Sequence, residues 1–303
     1  MPEPRTPSGP GQGILLGFLA FASWGLLSPV GKHLLQGFQP MGLNAVRFVL
    51  AAMVIAPFLG LTGIRDSLRL LANRQVVWVN ILANVSLSLF LYSLTTLPAT
   101  YATLGFYTAP LWTAILARML LKEHVGRWFP LAAAGLLLGG YLALFGLGAP
   151  PAGFSRWGMA LAVASGLVWA YYSVVLRRAA PSIPLKPLMG ASFLIGALYY
   201  SLLALALEGP PAVLHRDAAT WGWLALYVLV PTLASFILFS AALQRAPAST
   251  VNLLVGAELG FTALFAHFLF GDAFTVVQVG GLALVLASVT AYLALHRPTP
   301  TPK

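Results

Sequence analysis

Long apolar stretches separated by short polar connections run along almost the whole chain. Each stretch has about 20 residues, the length that an α-helix needs to cross roughly 30 Å of hydrocarbon at 1.5 Å per residue. Connections as short as Pro98-Ala99 and Gly271-Asp272 force neighbouring helices to run antiparallel. The pattern predicts ten membrane-spanning helices, near residues 13–35, 40–62, 76–97, 100–121, 128–147, 157–176, 187–207, 221–243, 249–270 and 273–295.

The two halves of the chain resemble each other. Thr113-Ala114 aligns with Thr262-Ala263, and Lys122-Glu123 aligns with Gly271-Asp272 at the same offset. Because each half has an odd number of crossings, the second half must enter the membrane in the opposite orientation. Inverted repeats that meet at a midplane site are the usual plan of secondary transporters.

We therefore predict an all-α, polytopic membrane protein of ten transmembrane helices, built from two inverted five-helix repeats. The repeats cover residues 13–147 and 157–295, and residues 148–156 form the linker between them. Residues 1–12 are expected to be a disordered cytoplasmic tail, and residues 296–303 a second cytoplasmic tail.

Composition excludes a soluble domain. Hydrophobic residues make up 59% of the chain, charged residues 8%, and the mean hydropathy is +0.86. So few charges cannot cover the surface of a soluble protein of this length. Cysteine is absent, which excludes disulfides, thiolate catalysis and cysteine metal sites.

The net charge of +10 reflects basic residues in loops on one side of the membrane. With the N-terminus in the cytoplasm, twelve cations lie inside: Arg5, Arg65, Arg69, Arg74, Lys122, Arg127, Arg177, Arg178, Lys186, Arg245, Arg297 and Lys303. Lys32, Arg156 and Arg216 lie outside. This positive-inside bias predicts a multi-pass protein of the plasma (inner) membrane with both termini in the cytoplasm. The sequence contains no basic cluster with interleaved aromatics, so it gives no indication of a nucleic-acid partner.

Two ionisable residues lie well inside predicted spans. Glu258, within Gly256-Ala-Glu-Leu-Gly260, is either a proton or cationic-substrate site, or a structural carboxyl held by its neighbours. Arg47 either holds a substrate carboxylate or bonds helix ends, and we favour the structural role. Both are candidates for ion coupling or ion pairing.

Polar and aromatic residues recur at helical spacing on several spans, so that they share helix faces. Such faces either line a substrate cavity between the halves, anchor the helices at the interface, or bond helices together. The candidate cavity residues are Trp24, Asn84, Ser88, Tyr92, Tyr101, Thr108, Trp112, Trp169, Tyr172, Asn252 and Glu258.

Several short motifs carry a family resemblance. They are Trp24-Gly25, Arg47-Phe48, the run from Ala109-Pro110 to Lys122-Glu123, and its repeat from Ala257-Glu258 to Gly271-Asp272. In this order the chain resembles the EamA-type branch of the drug/metabolite transporter superfamily over nearly its whole length. The family commonly has a proline after the glutamate, but Leu259 stands there in this chain. The resemblance implies a ten-helix basket with a central cavity that moves small metabolites by alternating access.

We expect a plasma-membrane secondary transporter that exports amino acids or related metabolites. A multidrug exporter of amphipathic cations and a metabolite importer are the alternatives within transporters. A membrane-embedded enzyme is disfavoured because a single intramembrane carboxylate stands without a ligand cluster, and a non-transporting scaffold or receptor because the polar faces recur. No cofactor or metal is expected. The expected partners are the lipid bilayer and a small-molecule substrate, and ten helices can enclose a cavity as a monomer.

Overall fold

The computed structural model describes residues 10–97, 99–147, 155–179, 183–209, 217–271 and 274–295. Most of the predicted tails and linker therefore lies outside the described residues. The helices are α1 (Pro10–Trp24), α2 (Leu27–Leu34), α3 (Pro40–Leu70), α4 (Arg74–Leu94), α5 (Ala99–Phe106), α6 (Ala109–Leu120), α7 (Phe129–Phe145), α8 (Arg156–Ala179), α9 (Leu185–Leu207), α10 (Ala218–Val228), α11 (Ser235–Leu243), α12 (Ala248–Leu253), α13 (Val255–Phe270) and α14 (Val276–Leu295). A π-helical stretch, Leu229–Ala234, joins α10 to α11.

These helices make ten crossings, which confirms the predicted fold. Eight helical segments in the described residues are long and apolar enough to span a membrane. The fifth crossing is the shorter apolar α7, and the fourth is formed by α5 and α6 together. Four crossings are interrupted: the first between α1 and α2, the fourth between α5 and α6, the eighth at the π stretch, and the ninth between α12 and α13.

The contacts between helix ends define two faces of the bundle. At the terminal face, where α1 begins and α14 ends, Phe129 packs on Tyr292 with ring centroids 5.6 Å apart. At the opposite face, the His33 ring lies 4.9 Å from Trp223 and 6.0 Å from Phe270. Each contact joins helix ends that ten successive crossings bring to the same side.

The principal helix pairings reveal the inverted repeat. The most extensive contacts join α3 to α9, α7 to α14, α4 to α8 and α1 to α11. In crossings, these are second with seventh, fifth with tenth, third with sixth and first with eighth. Exchanging the halves maps the first two pairings onto themselves and the last two onto each other. Most of the packing therefore joins one half to the other, and its pattern fits a pseudo-two-fold axis in the membrane plane.

Small residues allow the closest of these contacts. A Cβ on Gly139 of α7 would lie 2.8 Å from the Gly281 carbonyl oxygen of α14, and a Cβ on Gly281 would lie 2.3 Å from the Ala143 nitrogen. The two backbones therefore touch, as in other membrane helix pairs that meet at small residues.

In two places the helix boundaries differ from those that the sequence pattern predicts. The second span was expected at 40–62, but α3 continues to Leu70 through a bend at Gly60, where φ is +66° and ψ is 174°. Leu61, just beyond it, is 88% exposed, as a side chain facing lipid would be. In the ninth crossing the break falls at Leu254, four residues before Glu258, without any proline.

Candidate functional site

A cavity lies between the two halves, near the middle of the bundle. It holds about 770 Å³ of empty space, including the part open to the outside. Several lining residues belong to α2, α5 and the far end of α4, so the cavity extends from the midplane toward the opposite face. The wall consists of Phe21, Trp24, Leu27, Ser28, Arg47, Phe48, Ala83, Asn84, Ser86, Leu87, Phe90, Thr103, Phe106, Tyr107, Trp169, Phe236 and Glu258.

Arg47 of α3 reaches from the first half to the π stretch of the second. Its Nε donates to Thr232 Oγ1 at 2.6 Å and its Nη2 donates to the Pro231 carbonyl at 3.1 Å. Pro231 has no N–H to donate within its helix. The Thr232 hydroxyl, however, donates to the Tyr227 carbonyl at 2.7 Å. Proline thus disturbs the eighth crossing, and the guanidinium binds the polar atoms of that disturbed stretch.

Glu258 enters the same cavity from the first turn of α13. The break at Leu254 gives α13 an N-terminus of its own inside the bundle, and the positive end of a helix dipole stabilises a nearby carboxylate. Half-helix ends of this kind face charged substrates in some transporters. Among the described residues, no cation lies within 4 Å of the Glu258 carboxylate.

An aromatic cluster closes the cavity on the side of the terminal face. Trp24 is at its centre, with the ring centroids of Phe21, Trp169, Phe236 and Phe239 all between 5.2 and 5.5 Å away. These rings come from α1, α8 and α11, so the cluster joins both halves. Aromatic pairs in such edge-on geometry add attraction beyond the area that they bury.

Asn252 and Tyr172 contact this cluster on the side of the terminal face. The Trp169 indole donates to Asn252 Oδ1 at 3.1 Å, and the Asn252 amide donates back to the Ala248 carbonyl at 3.1 Å. The Tyr172 ring packs 4.9 Å from Trp169. Both residues are buried behind the cavity wall, and neither lines it.

The structure brings some of the predicted site residues together and separates others. Trp24, Asn84, Trp169, Glu258 and Arg47 share the cavity wall. Seven candidates do not line it: Asn252 and Tyr172 lie behind it, and five others lie elsewhere. Ser88 contacts the Tyr199 hydroxyl at 3.2 Å, Tyr101 packs on Phe145 at 4.4 Å, Trp112 donates to Thr108 Oγ1 at 3.1 Å, and Tyr92 is 39% exposed. Their roles in substrate binding stay predictions.

Sequence reasoning missed several wall residues. Phe48, Phe90, Phe106 and Phe236 supply aromatic surface, but a phenylalanine in an apolar helix carries no signal that separates a cavity wall from a lipid-facing or packed position. Ser86 also lines the cavity, and it donates to the Ser165 carbonyl of α8 at 2.8 Å.

A buried carboxylate links the halves at the terminal face. Glu123 follows α6, and its oxygens accept from the Ala248 N–H at 3.1 Å, the Ser249 N–H at 3.5 Å and the Ser249 hydroxyl at 3.3 Å. It thereby caps α12, the start of the ninth crossing. Arg177 Nε lies 3.8 Å away, and Arg177 Nη1 donates to the Leu243 carbonyl at 2.7 Å.

Glu208 makes the corresponding link at the opposite face. Its two oxygens accept from the Met41 N–H at 2.9 Å and the Gly42 N–H at 2.8 Å, which caps α3. In both links a carboxylate of one half binds the first backbone donors of a helix from the other half. Each link satisfies donors that a helix N-terminus otherwise leaves unpaired.

Ten crossings in two inverted repeats around a midplane cavity are the architecture of a membrane transporter. The chain belongs to the EamA-like transporter family, whose model matches residues 11–145 and 156–294. A crystal structure superposes with a TM-score of 0.79 at 21% identity, covering 94% of this chain and 97% of the other, which supports the fold.

Curated relatives include transporters from several bacteria. The threonine/homoserine exporter RhtA of Escherichia coli (strain K12) is 29% identical over 216 residues, covering 69% of this chain and 68% of the relative. RhtA of Salmonella typhimurium (strain LT2) is 28% identical over the same shares. An uncharacterized transporter of Pseudomonas aeruginosa is 27% identical over 300 residues, covering 94% of this chain and 96% of the relative.

Proposed function

We propose that this transporter exports amino acids or closely related metabolites from the cytoplasm by alternating access. The observation that carries the proposal is the cavity wall, where a carboxylate and a guanidinium face one aromatic chamber between the halves. A zwitterion with an apolar body complements such a wall. The similarity to threonine/homoserine exporters supports the same substrate class.

The distribution of cations supports a cytoplasmic terminal face. Within the described residues, ten loop or helix-end cations lie at the terminal face: Arg65, Arg69, Arg74, Arg118, Lys122, Arg127, Arg177, Arg178, Lys186 and Arg245. Lys32 and Arg156 lie at the opposite face. Because cytoplasmic loops are enriched in Lys and Arg, the termini are inside and the cavity extends toward the outside.

During the transport cycle, the terminal face and the opposite face would close in turn. In the conformation described, the aromatic cluster and the Glu123 link close the terminal face beneath the cavity. Rocking one half against the other would open this side and close the opposite face around the same site. The Glu258 carboxylate would bind the substrate amine or carry a proton during the cycle.

Transport by purified protein in liposomes tests this function. We expect uptake or efflux of one or more labelled amino acids along an imposed gradient, and we expect Glu258→Gln to reduce the rate at least tenfold or to abolish its dependence on pH. Asp66→Asn is the matched control, because Asp66 pairs with Arg69 on the exposed surface at 3.2 Å and is remote from the cavity. Unchanged rate and pH dependence in Glu258→Gln would remove both roles of that carboxylate.

Export of amphipathic cations is the second candidate function. It is favoured by one observation, the single carboxylate in a wall that is otherwise rich in aromatic rings. The same liposomes, tested with a lipophilic cation in place of amino acids, separate the two functions.

A further inference from the structure

Arg47 is a buried cation in the cavity wall. Its side chain is among the largest fully buried ones, with 1% exposure. Its neighbours are the Thr232 hydroxyl, the Pro231 carbonyl, the Asn44 side-chain oxygen at 3.3 Å, and the ring of Tyr227 at 4.9 Å from the guanidinium carbon. All of these are formally neutral.

The positive charge of Arg47 has no carboxylate partner in the part of the chain that the structure describes. The described ion pairs are Arg69 with Asp66 and Arg177 with Glu123. Glu258 lines the same cavity but does not pair with Arg47. A charge buried at membrane depth is costly, and such charges usually pair with an opposite charge or mark a substrate pathway.

The hydrogen bonds of Arg47 leave donor capacity. A guanidinium carries five N–H groups in a planar fork. Thr232, Pro231 and Asn44 engage three of them, and the Tyr227 side chain is a fourth hydrogen-bond partner. These bonds fix the direction of the guanidinium, and Arg47 is part of the cavity wall. A guanidinium held in a fixed direction, with an N–H still available, can donate to a carboxylate oxygen.

We propose that Arg47 binds the carboxylate of the transported substrate. This inference rests on the proposed function and sharpens it, because it requires a substrate with a free carboxylate and an apolar remainder that contacts Trp24, Phe48 and Phe236. The π stretch has the role of a support that holds the guanidinium in place. A purely structural Arg47, which only fastens α3 to the π stretch, is the rival account.

Paired ligands separate these accounts. Binding to the purified full chain is followed by tryptophan fluorescence, since Trp24 and Trp169 line the cavity, and by the shift in melting temperature. The probes are L-leucine, L-phenylalanine and L-threonine, each against its own amide, which lacks the carboxylate. The variants are Arg47→Met, Arg47→Lys and Thr232→Val; the last removes the hydroxyl bonded to Nε and keeps the charge.

We expect at least one amino acid to bind the wild type at least tenfold more tightly than its amide. Arg47→Met should bind acid and amide equally, Arg47→Lys should retain part of the preference, and Thr232→Val should keep the preference even where it lowers the melting temperature. If Arg47→Met fails to fold, the Lys and Val variants carry the test.

Three results would overturn the inference. If acid and amide bind the wild type equally, the carboxylate site is wrong while the transporter proposal stands, because binding is retained. If no amino acid binds and the liposomes move lipophilic cations instead, the carboxylate site and the amino-acid function fall together. A preference for the acid that survives in Arg47→Met would also refute the role of Arg47.

Discussion

The terminal and opposite faces of the bundle are built from the same elements and differ in how tightly they are closed. At both faces a carboxylate of one half caps a helix of the other half: Glu123 caps α12, and Glu208 caps α3. At the terminal face Arg177 joins the carboxylate, and the Trp24 cluster closes the space above it. Toward the opposite face the corresponding space is the cavity.

The difference shows how an inverted repeat can make two unlike ends from similar parts. Both carboxylates satisfy backbone donors, but only Glu123 has a described cation near it, and its side chain is 6% exposed. We infer that the Glu123 link stabilises the conformation with the terminal face closed, while Glu208 anchors the second and seventh crossings to each other. Variants of the two carboxylates therefore test the comparison directly.

Glu123→Ala should have the largest effect. It leaves Arg177 without its counter-ion and two backbone N–H groups without their acceptor in a largely buried site, a loss of about 3 kcal/mol in the free energy of unfolding. Denaturation in detergent measures this loss. A fall of less than about 1 kcal/mol, with a cysteine introduced by Ser173→Cys still protected from an impermeant maleimide, would show that the link does not hold this face.

Glu208→Ala should cost less, because no cation pairs with Glu208 among the described residues. The loss of two backbone hydrogen bonds to a charged acceptor is worth about 2 kcal/mol. The same denaturation assay applies, and the variant should leave the terminal face closed. An effect equal to that of Glu123→Ala on both stability and accessibility would make the two faces equivalent and remove the distinction.

Asn252→Ala should have a moderate effect confined to the terminal side of the cavity. The Trp169 indole would lose its acceptor at 3.1 Å, at a cost of about 1 kcal/mol. Tryptophan emission should change, since Trp169 lies beside the cavity. Ser192→Ala is the control, because its hydroxyl bonds only its own helix, to the Leu188 carbonyl. Identical tryptophan emission spectra for the two variants would show that Asn252 does not affect the aromatic cluster.

Lys122→Gly should have the smallest effect and the opposite sign. Lys122 has a φ of +55°, which is costly for a residue with a side chain, and its repeat counterpart is Gly271 with a φ of +74°. The strain precedes Glu123 directly. Relief of strain, partly offset by the greater freedom of glycine when unfolded, should stabilise the chain by about 0.5 kcal/mol. Destabilisation would mean that the lysine side chain has a role in the link.

Much of the fold was predictable because membrane spans are decided by local hydropathy. Apolar length and short connections gave ten crossings, and the self-resemblance of Thr113-Ala114 with Thr262-Ala263 gave the inversion. The placement of Glu258 and Arg47 in one cavity also agrees with the cost of burying charge in a membrane. These features depend on properties that each segment carries by itself.

The parts that could not be predicted depend on how helices are rotated against each other. Tyr101 and Trp112 share a helix face with polar neighbours, yet they face Phe145 and Thr108 rather than the cavity. The cap that Glu123 provides joins residues 125 positions apart, so no local pattern indicates it. No proline lies at the break at Leu254, so the local sequence does not indicate it.

Accessibility of single cysteines tests alternating access most directly, because the natural chain has no cysteine. Ser28→Cys places a thiol in the cavity wall, and Ser173→Cys places one between the aromatic cluster and the terminal face. With an impermeant maleimide applied from each side, we predict labelling at position 28 from the opposite face and protection at position 173. Adding Glu123→Ala should decrease labelling at position 28 and increase labelling at position 173. Adding Asp66→Asn should change the labelling at neither position. Labelling at the two positions that fails to change in opposite directions would contradict a cycle in which the two faces alternate.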